Sequence, residues 1–185
     1  MQLVILDRDG VINQDSDSYV KSPAEWHPIP GSLEAIARLS RAGYRVVVAT
    51  NQSGIGRGLF DVETLNAIHD RMKGQLAELG GSIDAIFFCP HRPEDDCACR
   101  KPKPGLLLEI ASRLRVPLTG VPAIGDSLRD VESAVAAGAR PILVRTGKGR
   151  RTLVEKGPLP GVEVFDDLGA VVSHLLSPAA GPAPG

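Results

Sequence analysis

The segment Leu3-Val4-Ile5-Leu6-Asp7-Arg8-Asp9-Gly10 decides the fold of this chain. Its four consecutive aliphatic residues predict a strand that is covered on both faces, as in the parallel sheet of an α/β protein. Two carboxylates and a glycine follow at once, where the carboxyl end of such a strand opens onto a ligand-binding crevice. The segment therefore predicts a parallel sheet with a polar site at its edge.

The rest of the chain repeats this alternation of short apolar runs and helical patterns. Strand-like runs lie at 45–49, 83–88, 121–124 and 141–144, with a weaker run at 162–165. Between them, apolar residues recur at steps of three and four, most clearly from Leu65 to Leu79, with Asp61 as the N-cap. Strands that alternate with helices predict a doubly wound, Rossmann-like parallel sheet with helices on both faces.

Composition limits the class of protein. The 185 residues fit a single domain, predicted at 1–176, and the Pro/Gly-rich tail at 177–185 is predicted to be disordered. A net charge of −1 gives no general attraction to nucleic acid or to a membrane surface. No apolar run approaches the ~20 residues of a membrane span, and the first residues do not resemble a signal peptide. We therefore expect a cytoplasmic monomer with a small-molecule substrate, and neither a nucleic-acid nor a membrane partner.

Polar residues follow several of the predicted strands. Asp7 and Asp9 follow the first strand, Thr50-Asn51-Gln52-Ser53 the second, and Gly125-Asp126-Ser127 the fourth, while Lys101 follows the third after a loop. Any one of these strings alone is more typical of a turn or a helix cap. Together they gather carboxylates at one sheet edge, and such oxygen ligands suit Mg²⁺.

In this order, these residues resemble the four motifs of the haloacid dehalogenase superfamily of phosphohydrolases. The longer strings at 7–13, 50–58, 89–91 and 97–102 are similar to the subgroup that acts on sugar bisphosphates and histidinol phosphate. The resemblance extends from about residue 3 to about residue 150.

The resemblance implies hydrolysis through an aspartyl-phosphate. Asp7 is the implied nucleophile, and Asp9 the group that protonates the leaving oxygen and then activates water. A raised pKa of Asp9 would suit both of its steps. The carboxylates of Asp7 and Asp126 and the backbone carbonyl of Asp9 are the implied ligands of Mg²⁺.

The remaining implied roles concern binding of the substrate. Lys101, Thr50 and the Asn51 backbone N–H would hold the phosphoryl oxygens. Neither interval between the motifs has room for a cap domain, so that loops must provide specificity. The expected substrate-binding residues are Asp15, Tyr19, Asn51, Gln52, Ser53 and Arg100.

Several residues near these motifs have two interpretations. Arg57 either meets a distal phosphate or is a surface arginine, and Asp130 either lies next to the metal or is an exposed helix charge. Trp26 either lines the entrance or packs in the core. The histidines at 27, 69 and 174 are interpreted as surface or helix-face residues.

The three cysteines cluster with one histidine. Cys89, His91, Cys97 and Cys99 offer three thiolates and one imidazole within eleven residues. Zn²⁺ takes four such ligands tetrahedrally, and a complete set leaves no vacancy for chemistry. We predict a structural zinc loop at 89–99 that fixes Arg100 and Lys101, the alternative being free thiols beside an incidental histidine.

Three functions remain in competition, and the resemblance implies the first two. The first is Mg²⁺-dependent removal of the 7-phosphate of D-glycero-D-manno-heptose 1,7-bisphosphate, in the synthesis of ADP/GDP-heptose and lipopolysaccharide precursors. The second is hydrolysis of histidinol phosphate. The third is a zinc-loop binding module on a catalytically dead scaffold, which the intact motif residues disfavour. The near-neutral charge disfavours a DNA 3′-phosphatase.

Overall fold

The computed structural model describes residues 2–177, so that the predicted tail at 177–185 falls, apart from Ser177, outside the described residues. The described residues form six strands and seven α-helices. The strands are β1 (Gln2–Leu6), β2 (Tyr44–Asn51), β3 (Ala85–Cys89), β4 (Pro122–Gly125), β5 (Arg140–Val144) and β6 (Glu163–Phe165). The helices are α1 (Ser32–Arg41), α2 (Ser53–Gly56), α3 (Val62–Glu78), α4 (Gly105–Leu114), α5 (Leu128–Ala136), α6 (Gly149–Lys156) and α7 (Leu168–Leu175).

All six strands form one parallel sheet in the order β3-β2-β1-β4-β5-β6. The predicted doubly wound sheet is therefore confirmed. The chain order reverses at β1, which lies between β2 and β4. Ligands of such sheets bind outside the carboxyl ends of the strands at this reversal. The fold thus brings the polar ends of β1, β2 and β4 to one crevice.

The sheet is covered on both faces. Val4 and Leu6 of β1 pack on one side, in a cluster with apolar residues of α1, α3 and α7. Leu3 and Ile5 alternate to the other side, where they join residues of α4 and α5. Each fully buried aliphatic side chain contributes about 1.5–3 kcal/mol relative to an exposed one. This two-sided burial explains the unalternated apolar runs and gives the crevice a rigid base.

Two helices were not predicted. Helix α2 has only four residues, too few for a periodic pattern. Helix α6 is mostly polar, and only Gly149 and Thr152 in it are buried, so the apolar stripe that identifies a helix is missing. In contrast, the predicted N-cap Asp61 is confirmed, because its side chain accepts a hydrogen bond from the Thr64 N–H at 2.8 Å.

No cap domain interrupts the described chain. Between β1 and β2 it holds only a 3₁₀ turn at Pro23–Glu25 and α1. Between β2 and α4 it holds α2, α3, β3 and a second 3₁₀ turn at Pro93–Asp95. Trp26 is completely buried and belongs to the core, so that packing is the correct interpretation for this residue. Among residues 2–177, no helix has the length and apolar character needed to cross a membrane.

Candidate active site

The predicted site residues meet at the carboxyl ends of the central strands. A hydrogen bond of 2.8 Å from the Asp7 N–H to the Ile124 carbonyl ties the end of β1 to β4. Thr50 and Lys101 are buried beneath the crevice, at 1% and 4% exposure. The other predicted residues line a cleft above them: Asp7, Asp9, Asp15, Tyr19, Asn51, Gln52, Ser53, Arg100 and Asp126.

Lys101 is the cation at the base of this cleft. Its ammonium donates to the Ala49 carbonyl at 2.9 Å and to Asp130 Oδ1 at 2.6 Å, and it forms an ion pair with Asp7 Oδ1 at 3.1 Å. Burial disfavours its charge, but Asp130 and Asp7 outweigh burial and raise the pKa of Lys101 above its usual value. Lys101 is therefore charged and fixed next to the predicted nucleophile.

Asp130 anchors this lysine. Besides Lys101, it accepts hydrogen bonds from the Ser127 N–H at 3.0 Å and the Ser127 hydroxyl at 2.6 Å. Burial alone would raise its pKa, but the charge of Lys101 and these hydrogen bonds lower it. Because its side chain is only 9% exposed, the interpretation of Asp130 as an exposed helix charge is wrong.

The Asp7 carboxylate has one engaged and one open oxygen. Oδ1 accepts a hydrogen bond from the Arg8 N–H at 2.8 Å and pairs with the ammonium of Lys101 at 3.1 Å, whereas Oδ2 has no hydrogen-bond donor within the described chain. Burial raises the pKa of Asp7 well above its usual value, Lys101 opposes this, and Asp130 and Asp126 add to it. Oδ2 is thus the oxygen that these contacts leave unengaged.

Asp126 completes a cluster of carboxylates. Burial, with a further contribution from Asp130, raises the pKa of Asp126 to about 7. Oxygen atoms of Asp7, Asp126 and Asp130 lie within 4.8 Å of one another, and Lys101 neutralises only part of their charge. Crowded, buried carboxylates of this kind fit a divalent cation with oxygen ligands. The donor set therefore suits Mg²⁺.

Asp9 differs from the sequence expectation. Both of its oxygens accept hydrogen bonds: from Arg8 Nη2 at 2.9 and 3.2 Å, from Asn13 Nδ2 at 2.9 Å and from Gln52 Nε2 at 2.9 Å. Burial would raise the pKa of Asp9, but the charge of Arg8 and these donors lower it. The expected raised pKa is therefore wrong for the substrate-free site, because donors surround the carboxylate.

Residues after β2 mainly hold the cleft together. Gln52 Nε2 donates to Thr50 Oγ1 at 2.9 Å as well as to Asp9, which leaves the threonine O–H available as a donor. The Asn51 side chain exchanges two hydrogen bonds of 3.1 Å with the backbone of Lys101, so it fastens the loop that carries the lysine. Ser53 is buried at the start of α2.

The rim of the cleft is cationic. Arg100 and Arg129 lie there together. Burial is the largest cause that lowers the pKa of Arg100, the positive charge of Arg129 is the next, and the charge of Arg57 contributes less. Across the cleft, Lys148 Nζ pairs with Asp15 at 2.9 Å. An anionic group carried on the far end of a substrate would meet the guanidinium groups of Arg100 and Arg129, whereas the charge of Lys148 is paired with Asp15.

Sequence reasoning missed Arg8, His69, Arg129 and Lys148. Lys148 follows the carboxyl end of β5, and its backbone N–H donates to Asp126 Oδ2 at 2.8 Å. Its position shortly after the fifth strand is a signal that the sequence contains. Arg8 and His69 are buried and in contact, and no local pattern predicts that contact. His27 and His174 are exposed, as expected.

The four predicted zinc ligands come together next to the cleft. Their contacts are 3.2–3.6 Å between sulfur atoms, with the His91 Nδ1 atom 3.3 Å from the Cys99 sulfur and 3.5 Å from that of Cys89. A tetrahedral ion with Zn–S bonds of about 2.3 Å requires ligand atoms about 3.5–3.8 Å apart. The observed spacings match these distances or are up to about 0.6 Å shorter, and three thiols with one imidazole are ligands that Zn²⁺ takes, so the donor set fits Zn²⁺. The Arg100 N–H donates to the Cys97 sulfur at 3.3 Å, which couples this loop to the rim.

A doubly wound sheet with carboxylates at the ends of β1 and β4 and a buried lysine between them defines the haloacid dehalogenase class of phosphohydrolases. Comparison with known proteins agrees. A family model described as HAD-hydrolase-like matches residues 98–171, and one described as polynucleotide kinase 3 phosphatase matches residues 2–123.

Curated relatives of high sequence identity indicate a particular family within this class. A D-glycero-beta-D-manno-heptose-1,7-bisphosphate 7-phosphatase of Bordetella bronchiseptica is 61% identical over 97% of this chain and 100% of the relative. One of Pseudomonas aeruginosa is 57% identical over 94% and 97% of the two chains. This chain belongs to the family of D-glycero-beta-D-manno-heptose-1,7-bisphosphate 7-phosphatases, within the haloacid dehalogenase superfamily.

Solved structures give the same result. The crystal structure of the D,D-heptose 1,7-bisphosphate phosphatase from B. bronchiseptica, complexed with magnesium and phosphate, has a TM-score of 0.93 and covers 95% of this chain and 98% of its own, at 61% identity. The structure of the D,D-heptose 1,7-bisphosphate phosphatase from Burkholderia thailandensis has a TM-score of 0.77 at 51% identity, and the match covers 96% of this chain and 99% of its own. The predicted family and fold are confirmed, and the magnesium in the B. bronchiseptica structure is the ion that the carboxylate cluster of this chain suits.

Proposed function

We propose that this protein hydrolyses the 7-phosphate of D-glycero-β-D-manno-heptose 1,7-bisphosphate in a Mg²⁺-dependent reaction. The observation that carries the proposal is the Lys101 ammonium, 3.1 Å from Asp7 and 2.6 Å from Asp130, beneath a cleft with a cationic rim. The names of the relatives support the substrate and its β anomer. We also propose that the enzyme acts as a cytoplasmic monomer in the supply of heptose for surface glycans.

Asp7 is the nucleophile of the proposed reaction. Lys101 and the Arg8 N–H hold Oδ1, so that Oδ2 attacks phosphorus in line and forms the aspartyl-phosphate. The ammonium of Lys101 and the hydroxyl of Thr50 stabilise charge on the equatorial phosphoryl oxygens. Such preorganised donors account for much of catalysis in phosphoryl transfer, because the groups do not have to reorient during the step.

Asp9 moves the protons. Its lowered pKa keeps it ionised in the substrate-free cleft, which suits the base that activates water against the aspartyl-phosphate. A phosphate dianion that enters beside it raises the pKa of a neighbouring carboxyl by like-charge repulsion. Asp9 then holds the proton that the leaving sugar oxygen receives in the first step.

The carboxylates of Asp7 and Asp126 and the carbonyl of Asp9 would hold Mg²⁺. When bound, the ion neutralises the repulsion between the phosphate and the carboxylates of the cleft. Asp130 is committed to Lys101 and Ser127, so it supports this site indirectly. Cys89, His91, Cys97 and Cys99 would hold a structural Zn²⁺ that keeps Arg100 at the rim.

A panel of phosphate esters tests the substrate. Phosphate release from the β and α anomers of heptose 1,7-bisphosphate is compared with release from histidinol phosphate, p-nitrophenyl phosphate and an oligonucleotide 3′-phosphate. The last ester tests the second candidate function, which the polynucleotide kinase 3 phosphatase model favours. We expect the largest kcat/KM for the β heptose ester, and a preference for histidinol phosphate or the oligonucleotide would overturn the proposal.

Arg100→Ala tests the role of the rim. Loss of a charge-assisted hydrogen bond costs about 1.5–3 kcal/mol, so kcat/KM for heptose bisphosphate should fall about 10- to 150-fold. A small ester such as p-nitrophenyl phosphate does not reach the rim, and its kcat/KM should change little. Equal losses for both esters would mean that Arg100 acts on the transferred phosphate instead.

A further inference from the structure

Arg8 connects the predicted acid–base residue to a distant helix. Its side chain is completely buried, at 0% exposure. On one side, Nη2 lies 2.9 Å from Asp9 Oδ1 and 3.2 Å from Oδ2, and Nε lies 3.3 Å from Oδ1. On the other side, Nη1 lies 3.2 Å from Nε2 of His69 on α3. Three elements of the catalytic environment, Asp9, Arg8 and His69, therefore form one continuous chain of contacts.

The chemistry of this chain fixes the state of the histidine. A guanidinium has only donors, so Nε2 of His69 must present a lone pair, and the imidazole carries its proton on Nδ1. Burial, and then the positive charge of Arg8, lower the pKa of His69 to about 4, in agreement with a neutral ring. His69 is therefore the acceptor that satisfies an otherwise unpaired N–H of a buried guanidinium.

The remaining donors to Asp9 cannot replace this arrangement. Asn13 contacts Oδ1 and Gln52 contacts Oδ2, each through one neutral N–H. Arg8 alone contacts both oxygens and therefore sets the rotation of the carboxylate about its Cβ–Cγ bond. Without the contact with His69, Nη1 of Arg8 loses the partner that fixes it, and the hold of Arg8 on both oxygens of Asp9 is weakened.

We propose that His69 is a positioning residue, which holds Arg8 against Asp9 and so directs the Asp9 carboxyl to the leaving oxygen of the substrate. The inference rests on the proposed function in one respect, namely that Asp9 protonates the leaving group. His69 touches no reacting atom and acts only through Arg8. Its effect must therefore depend on how much the leaving group needs a proton.

Two esters separate this role from a structural one. A sugar phosphate leaves as an alkoxide and needs the proton, whereas p-nitrophenyl phosphate leaves as a stabilised phenolate. Because kcat/KM reports the steps up to loss of the leaving group, a substitution that leaves the rim intact changes the ratio of kcat/KM for heptose bisphosphate to that for p-nitrophenyl phosphate through the acid function. This ratio is the readout, with thermal unfolding measured in parallel.

The variants form a matched pair. The side chain introduced by His69→Gln carries a carbonyl oxygen near the place of Nε2, whereas the side chain introduced by His69→Asn is too short to reach Arg8. We expect His69→Asn to lower the ratio by about 10-fold, which is less than the 10²–10⁴ of a whole general acid because Asp9 itself remains, and His69→Gln to restore it to within about twofold. His69→Leu takes the place of the asparagine variant if that variant does not fold.

Ile68→Val is the control, because Ile68 is also buried on α3 but belongs to the apolar core. It should lower stability slightly and leave the ratio unchanged. An unchanged ratio in His69→Asn, or the same ratio in the asparagine and glutamine variants, would overturn the inference. Asp9→Asn separates it from the proposed function: if that variant also keeps the wild-type ratio, Asp9 is not the leaving-group acid, and the assignment of Asp9 fails first.

Discussion

Replacement of Gly10 by alanine tests the metal site through the backbone. Gly10 has a φ of +84°, and a Cβ built on it would collide with the carboxylate of Asp126. The same carboxylate accepts a 2.8 Å hydrogen bond from the Lys148 N–H, and Gly147 approaches it from the loop after β5. Asp126 is thus enclosed by two glycines, and it has no room to move away without losing its hydrogen bond.

Gly31→Ala is a matched control. Gly31 has the same φ of +84°, but a Cβ there would meet no atom within 4 Å. The left-handed conformation costs an alanine about 1–2 kcal/mol, and both variants carry this cost. Only Gly10→Ala adds the steric displacement of Asp126, for which overpacking suggests about 1–3 kcal/mol more. The sum stays below the ~5–15 kcal/mol stability of a typical domain, so both variants should fold.

The two variants should differ in their response to Mg²⁺. A displaced ligand or ligand support lowers metal affinity about 10- to 100-fold, and we expect the Mg²⁺ concentration for half-maximal activity to rise by that factor in Gly10→Ala only. The assay is phosphate release titrated with Mg²⁺, with urea unfolding to compare stabilities. Equal Mg²⁺ requirements in the two variants would refute the assignment of Asp126 as a metal ligand.

Three further predictions concern the nucleophile, the pH dependence and the zinc loop. Asp7→Asn should abolish turnover but keep the fold, because an amide is not a nucleophile. Without metal, this variant should be more stable than the wild-type protein at pH 8, since burial raises the pKa of Asp7 and makes its charged form unfavourable at that pH. Residual turnover in a pure sample would contradict the mechanism. The raised pKa of Asp126, about 7 against 3.8 in a model compound, means that its contribution to metal-free stability is present below pH 3.8 and is lost as the pH rises through 7. Mg²⁺ should therefore raise Tm more at pH 8 than at pH 5, and equal shifts in differential scanning fluorimetry would contradict this. Zinc should copurify at about one ion per chain and survive removal of Mg²⁺, and Cys99→Ser should lower both zinc content and Tm; a stable, active preparation without zinc by elemental analysis would exclude the structural site.

Much of the fold and of the site follows from the sequence alone. In a parallel sheet the carboxyl ends of all strands lie at one edge, so the position of a residue after a strand already places it near the crevice. Asp7, Thr50 and Asp126 could be located in this way. The zinc ligands were equally accessible, because Cys89 to Cys99 span eleven residues and one loop is enough to gather them.

The tertiary structure decided the states of these groups. The pKa of Asp9 was expected to be raised and is lowered, because Arg8, Asn13 and Gln52 surround it with donors. Asp130 was left open in the sequence, and its burial against Lys101 depends on how α5 packs next to the cleft.

His69 shows the same limit most clearly. It is 61 positions from Arg8 in the chain, yet the two side chains are in contact. The ends of strands and the spacing of metal ligands depend on residues that are close in the sequence, so the sequence alone can indicate them. Orientation, burial and charge state depend on side chains that reach the same point from β1, α3 and α5, so only the packed molecule determines them.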